Sequence, residues 1–373
     1  MILGVSLFCI LVGDLWYALS NHLWMIMVSR LLTGFGAGNQ EVIQGFVASI
    51  TTPEERPKHI AALSLFATFS FIVGPLLAAA FSTLDTPEDH QKFLNAWTIP
   101  GFVSALLGLV SFLLVLGIYA PRPRRHQEAS EDHASEEWVD KEGPQVSMVV
   151  TLALIVAYFF IFTTGSVYET IVVPFTDCSY EWTLLENAGL FAVAGFFSAL
   201  TFACMICADS LLCTNLCRKI GIRRSSEGLS AKAELLLLIP ALVVLAAGYG
   251  IMISSVLLPG DCVFFTLPLW RFLLGSVFIT FTFPFSFSGV VNLFSRLLAG
   301  KSAHYITFRM RMLKAGGYLA RMIAPLWSGC VFEYRGFDII FLVTSVGVVF
   351  ATVLILLFSH YLVRTIHRIN SSM

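Results

Sequence analysis

Six ionisable side chains, Asp14, Arg30, Glu41, Glu169, Arg271 and Arg321, stand inside long apolar stretches of this 373-residue chain. A charged side chain at the centre of a lipid bilayer costs roughly 2.5 to 3.5 kcal/mol on insertion scales, so each needs a partner or a water-filled cavity. No nucleophile, base and orienting group recur at useful spacing among them, which argues against an enzyme. No glycine-rich phosphate loop points to nucleotide-driven work. What such groups can do in a membrane is bind and release protons, ions or a charged solute.

Their spacing sharpens this. Arg30, Gly34, Gly38 and Glu41 fall within about 80° of one another around a helix axis, with Gln44 on the same side. That small, polar face suits either a cavity wall or close helix packing anchored by Arg30. Asp14 and Arg30 lie equally far in sequence from His22, so a hairpin turning there would hold them at one depth. The pair is expected to act as a structural clasp, with a proton-sensitive switch as the alternative. Glu169 precedes Pro174, whose missing N–H frees the carbonyl of Thr170. A carboxylate beside a weakened helix is suited to binding a proton or cation, and a glutamate at headgroup level is the plain alternative. Arg321 precedes Pro325 in the same way and is suited to holding an anionic solute or to pairing with an acid such as Glu169. Arg271 completes the set of pathway candidates: Arg30, Glu41, Glu169, Arg271 and Arg321.

The elements that position these groups must be membrane helices. Of the chain, 57% is hydrophobic and 13% charged, against about 25% charged in soluble domains; the mean hydropathy is +0.80. A net charge of −1 excludes a basic nucleic-acid binder. Ten apolar stretches are long enough to cross a bilayer of ~30 Å as helices: 1–20, 23–48, 60–81, 97–119, 146–175, 186–208, 233–257, 264–294, 310–332 and 337–363. The apolar N-terminus lacks a basic lead and a cleavage site, and reads as a membrane helix and not as a signal peptide. Residues 121–145, rich in proline and charge, form a linker. Eighteen of the 23 Lys and Arg fall in alternate loops on one side, which places both termini in the cytoplasm.

Scattered cysteines give no disulfide framework, although Cys178 and Cys262 fall in loops where an oxidising lumen could join them. Cys204, Cys207, Cys213 and Cys217 read as membrane-helix cysteines, not as a zinc site. The 33 phenylalanines read as lipid-facing or packing groups. Neither a metal nor a cofactor is expected, and the partners are the bilayer and a small solute or ion.

Two internal correspondences suggest a repeat. RLLTG at 30–34 aligns with RFLLG at 271–275, and VGPLLA at 73–78 with IAPLWS at 323–328. Gly74, Pro75, Pro174 and Pro325 are expected to break their helices. Equivalent halves would leave the first two helices of the second half without counterpart at the N-terminus. The segment SRLLTGFGAGN at 29–39 resembles the fourth-helix motif of the major facilitator superfamily, Gly74-Pro75 its fifth-helix motif, and LCRKIGIRR at 216–224 its basic inter-helix loop. YETIVVPFTDCSYEW at 168–182, GGYLARMIAPLW at 316–327 and GAGN at 36–39 are similar to the lysosomal major facilitator proteins of the neuronal ceroid lipofuscinosis type.

The expectation is therefore an all-α membrane protein. It has a major facilitator fold lacking its first two helices, with about ten spans in two pseudo-repeat halves: 1–120, the linker 121–145, and 146–373. The resemblance implies a secondary transporter working by alternating access in an endosomal or lysosomal membrane, with proton coupling as the favoured drive. An anion channel and an inactive truncated form are the alternatives.

Overall fold

The computed structural model describes residues 2–37, 43, 56–82, 98–118, 147–207, 231–253, 267–298 and 303–372. Among these the regular structure is ten α-helices: α1 Ile2–Ala18, α2 Leu23–Gly36, α3 Arg56–Ser82, α4 Ile99–Ile118, α5 Met148–Tyr180, α6 Leu184–Cys207, α7 Ala231–Met252, α8 Leu269–Leu297, α9 Ala303–Arg335 and α10 Phe337–Ser372. Six of them, α4 to α8 and α10, are long and apolar enough to cross a membrane, while α1, α2 and part of α3 are shorter apolar segments. Helix α9 carries Arg309, Arg311, Lys314 and Arg321, which dilute its apolar character.

Several helices outrun the stretches expected from hydropathy. α5 continues to Tyr180, α9 spans Ala303–Arg335, and α10 reaches Ser372. An apolar run marks only the part of a helix that sits in hydrocarbon, whereas intrahelical hydrogen bonding carries the helix beyond it. α5 stops at Glu181, a non-glycine residue with φ 54° in the left-handed region. Its N–H donates to the Asp177 carbonyl at 3.0 Å, and that of Trp182 to the Thr176 carbonyl at 3.3 Å, satisfying carbonyls that the helix end leaves free.

The expected helix breaks do not occur. Pro75, Pro174 and Pro325 lie inside continuous helices, as do Pro240 and Pro284. A proline removes one backbone bond, and in a membrane bundle neighbouring groups re-satisfy what it frees, so the helix persists.

The chain divides into two compact units, Met1–Glu137 with Leu184–Ala192, and Trp138–Thr183 with Val193–Met373. In the first, α1 packs on α2 and α4, and α3 on α4. Gly13 makes the α1–α2 approach possible: a Cβ there would lie 2.9 Å from the backbone nitrogen of Thr33. The Ser6 hydroxyl donates to the Gly36 carbonyl across the same interface.

In the second unit α5 packs on α8, α9 and α10, while α7 packs on α8 and α10. The pairings α1·α2, α1·α4 and α3·α4 thus recur as α7·α8, α7·α10 and α9·α10. This is the repeat that RLLTG and RFLLG announced. Helix α6 is tied to α8 by hydroxyls donating to backbone, Ser198 to the Thr280 carbonyl and Thr201 to the Phe281 carbonyl, both at 2.9 Å.

Candidate functional site

The site begins on one face of α5. Tyr158, Phe162, Gly165 and Glu169 recur at spacings of four, three and four, which places them in line along the helix. Opposite them α9 presents Gly316 and Gly317. A Cβ on Gly317 would lie 2.8 Å from the Tyr158 ring and 3.3 Å from that of Phe162, so the paired glycines are what let α9 approach α5. One turn further along α9, Arg321 places its guanidinium over the Phe162 ring, 5.5 Å from the centroid.

Arg321 is exposed, and no ion pair or hydrogen bond engages its five N–H donors among the described residues. Glu169 also reaches open space, although protein fills most of its surroundings, which is the setting of a group lining a concavity. Arg321 acts on it electrostatically without a contact ion pair. Within the second unit, then, a cation with unused donors and a carboxylate share one face above an aromatic floor of Phe162, Phe283 and Phe287, whose centroids are 5.4 to 5.9 Å apart.

Arg271 sits differently. Its Nε donates to the Ile251 carbonyl at 3.0 Å and its Nη2 to the Ile253 carbonyl at 2.9 Å, so the guanidinium closes the C-terminal end of α7. Positive charge there also suits the helix dipole.

In the first unit Asp14 is buried near the Thr33 side chain, whose hydroxyl donates to the Ser29 carbonyl at 2.9 Å, and it feels the charge of Arg30. Arg30 itself is exposed and lies over the Tyr17 ring at 4.0 Å, so the two charges interact without a contact ion pair. Gly34, on the Arg30 side of α2, meets nothing within 4 Å of a would-be Cβ; the close packing of α2 runs through Gly36 and Thr33. The Arg30–Gly34 face is therefore left open by the described residues of this unit. Gly74 is likewise uncrowded. Glu41, Gly38 and Cys262 lie outside the described residues.

Sequence reasoning missed one pair. Arg296 Nη2 and Glu234 Oε1 meet at 3.0 Å and join α7 to α8, with side chains 27% and 11% exposed. Each residue stands at the edge of a span, where a lone charge draws no notice. The pairing of α7 with α8 is the signal that could have found it.

Helices long and apolar enough to cross a membrane, with charged side chains opening from their faces, define a polytopic membrane protein. Residues 1–226 match the model of the Major Facilitator Superfamily, and the chain belongs to that superfamily. It is 28% identical over 222 residues to major facilitator superfamily domain-containing protein 8 of Xenopus laevis, a match covering 55% of this chain and 41% of that protein. The matched stretch is thus less than half the length of that relative. Among solved structures it resembles the human organic anion transporter MFSD10, with a TM-score of 0.60 at 18% identity, covering 94% of this chain and 76% of that one. It also resembles a bacterial homologue of the human lysosomal transporter Spinster, with a TM-score of 0.56 at 13% identity, covering 98% and 83%.

Proposed function

We propose that the chain is a secondary carrier that moves a small anionic solute by alternating access, with Arg321 receiving the anion and Glu169 the coupled proton. The observation that carries this is Arg321, an arginine within a membrane bundle whose fork of donors is unused and faces open space. Such a group is costly to hold in a membrane unless a ligand or water engages it. Glu169, on the same face, can accept a proton as the anion arrives and so keep the combined charge low. Arg30 and Glu41 are the first half's contribution to the pathway, while Arg271, held by two carbonyls of the α7 end, serves as a strut.

An anionic solute fits the class of MFSD10, an organic anion transporter. Placing both termini in the cytoplasm fits the charge bias of the loops, and an endosomal or lysosomal membrane fits the resemblance of residues 168–182 and 316–327 to lysosomal major facilitator proteins. A second reading, an anion-conducting channel, draws on the same unpaired guanidinium.

The two are separated in proteoliposomes by following chloride and a panel of fluorescent organic anions under an imposed pH gradient. Uptake driven by the gradient and abolished by Glu169→Gln and Arg321→Gln, with folding retained, supports the carrier. Large chloride flux indifferent to pH sinks it in favour of the channel.

A further inference from the structure

Phe162 on α5 and Phe283 and Phe287 on α8 form a near-equilateral triangle of rings, with centroids 5.9, 5.6 and 5.4 Å apart. Core phenylalanines of α8 are sealed, Phe272 and Phe294 being 0% exposed. The three rings of the triangle are only half-buried, so part of each is left open. Lipid does not account for that opening. The Arg321 guanidinium stands over Phe162, 5.5 Å from its centroid, and a guanidinium in a membrane bundle turns to a water-filled cavity and not to hydrocarbon.

Buried neighbours brace the patch. Phe162 packs on Tyr158 with centroids 4.6 Å apart, and Phe287 on Phe202 at 6.0 Å. The Phe283 ring fills the space that a Cβ on Gly165 would need, 2.8 Å away. A ligand landing here meets rings that need little reordering. The guanidinium stands at the Phe162 corner, and a carboxylate paired with its fork can lay an attached group over the Phe283–Phe287 edge. A ring set over the triangle would meet all three at about the 4.5–7 Å that aromatic pairs favour. A bare inorganic anion also satisfies the fork, but it leaves the patch wet and forgoes that apolar burial.

We infer that the solute is a carboxylate, or a similar monoanion, that carries a compact apolar body about the size of one ring, and that Phe162, Phe283 and Phe287 select for that body. This rests on the reading of Arg321 as the receiver of an anion.

The test is direct binding to the whole purified chain, followed by titration calorimetry with acetate, sulfate, phenylacetate and phenylacetamide at equal ionic strength. Phenylacetate is expected to bind at least about tenfold more tightly than acetate or sulfate, and more tightly than the uncharged phenylacetamide. Arg321→Gln should erase the advantage over phenylacetamide. Phe283→Ala and Phe287→Leu should each narrow the ratio of phenylacetate to acetate affinity, a ratio that a general loss of folded protein does not move. Equal affinities for phenylacetate and acetate, both lost in Arg321→Gln, overturn the aromatic selection while leaving the anion reading in place. Binding by none of the anions, or binding indifferent to Arg321→Gln, overturns the reading of Arg321 and this inference with it. A ratio unchanged in both phenylalanine variants takes the selection away from these rings.

Discussion

Gly34 and Gly275 occupy the same place in the internal repeat, yet alanine should affect them in opposite ways. At Gly275 an added Cβ would lie 2.7 Å from the Gly248 carbonyl oxygen and 2.8 Å from Met252 Cγ. The first of these is backbone and cannot rotate away. Ordinary contact needs about 3.5 Å, so α8 must retreat from α7 by roughly 0.5 Å or more, loosening a packed interface at a cost of about 1–3 kcal/mol. At Gly34 nothing lies within 4 Å, and alanine gains up to ~1 kcal/mol of helix propensity. Thermal unfolding of the detergent-purified chain, followed by size-exclusion fluorescence, should show Gly275→Ala several degrees below wild type and Gly34→Ala level with it or above. If the Arg30–Gly34 face lines the solute path, Gly34→Ala will also slow uptake without loss of Tm. Equal destabilisation by the two substitutions would refute the reasoning, because it would mean that the repeat position and not the local space sets the requirement for glycine.

Three further outcomes follow from contacts already described. Arg271→Lys loses the fork that reaches the Ile251 and Ile253 carbonyls together, and the lost charged hydrogen bond should cost ~2 kcal/mol, read as a lower Tm that Arg271→Gln lowers further. Arg296→Met leaves Glu234 without its partner; breaking a buried pair costs about 3–5 kcal/mol, less here because the arginine side chain is 27% exposed, and adding Glu234→Gln should recover most of the lost Tm. Tyr249→Phe removes the donor to the Thr164 carbonyl and should lower stability by ~1 kcal/mol, with an unchanged Tm counting against that bond.

Apolar length alone revealed the helices, because in lipid every backbone group must be satisfied within its own segment and a long apolar run has no other form to take. It misplaced their ends, since Tyr180 and Ser372 lie where the helix persists but hydropathy does not mark it. The alignment of RLLTG with RFLLG pointed to an internal repeat, and the pairings of α1 to α4 do recur in α7 to α10. It did not foretell what Gly34 and Gly275 do, because that depends on whether a residue such as Gly248 stands opposite. The proline positions were read as breaks because a sequence shows the lost hydrogen bond, whereas the helices of the structure run on through Pro75, Pro174 and Pro325.

The three arginines within apolar runs show why residue type and depth do not assign a role. All carry the same charge at similar cost, and each satisfies it differently. Arg271 spends its donors on the backbone of α7, so its charge is consumed by structure. Arg30 leans on the Tyr17 ring while the buried Asp14 feels its field, with no contact ion pair between them. Arg321 rests on the Phe162 ring with its donors still open. An aromatic face stabilises a cation through its quadrupole but offers no hydrogen-bond acceptor, so the fork of Arg321 keeps its capacity for a carboxylate or similar anion. Substituting lysine should therefore spare stability at 321 and impair it at 271. The converse outcome would assign the open guanidinium to structure and remove the main support for an anionic solute.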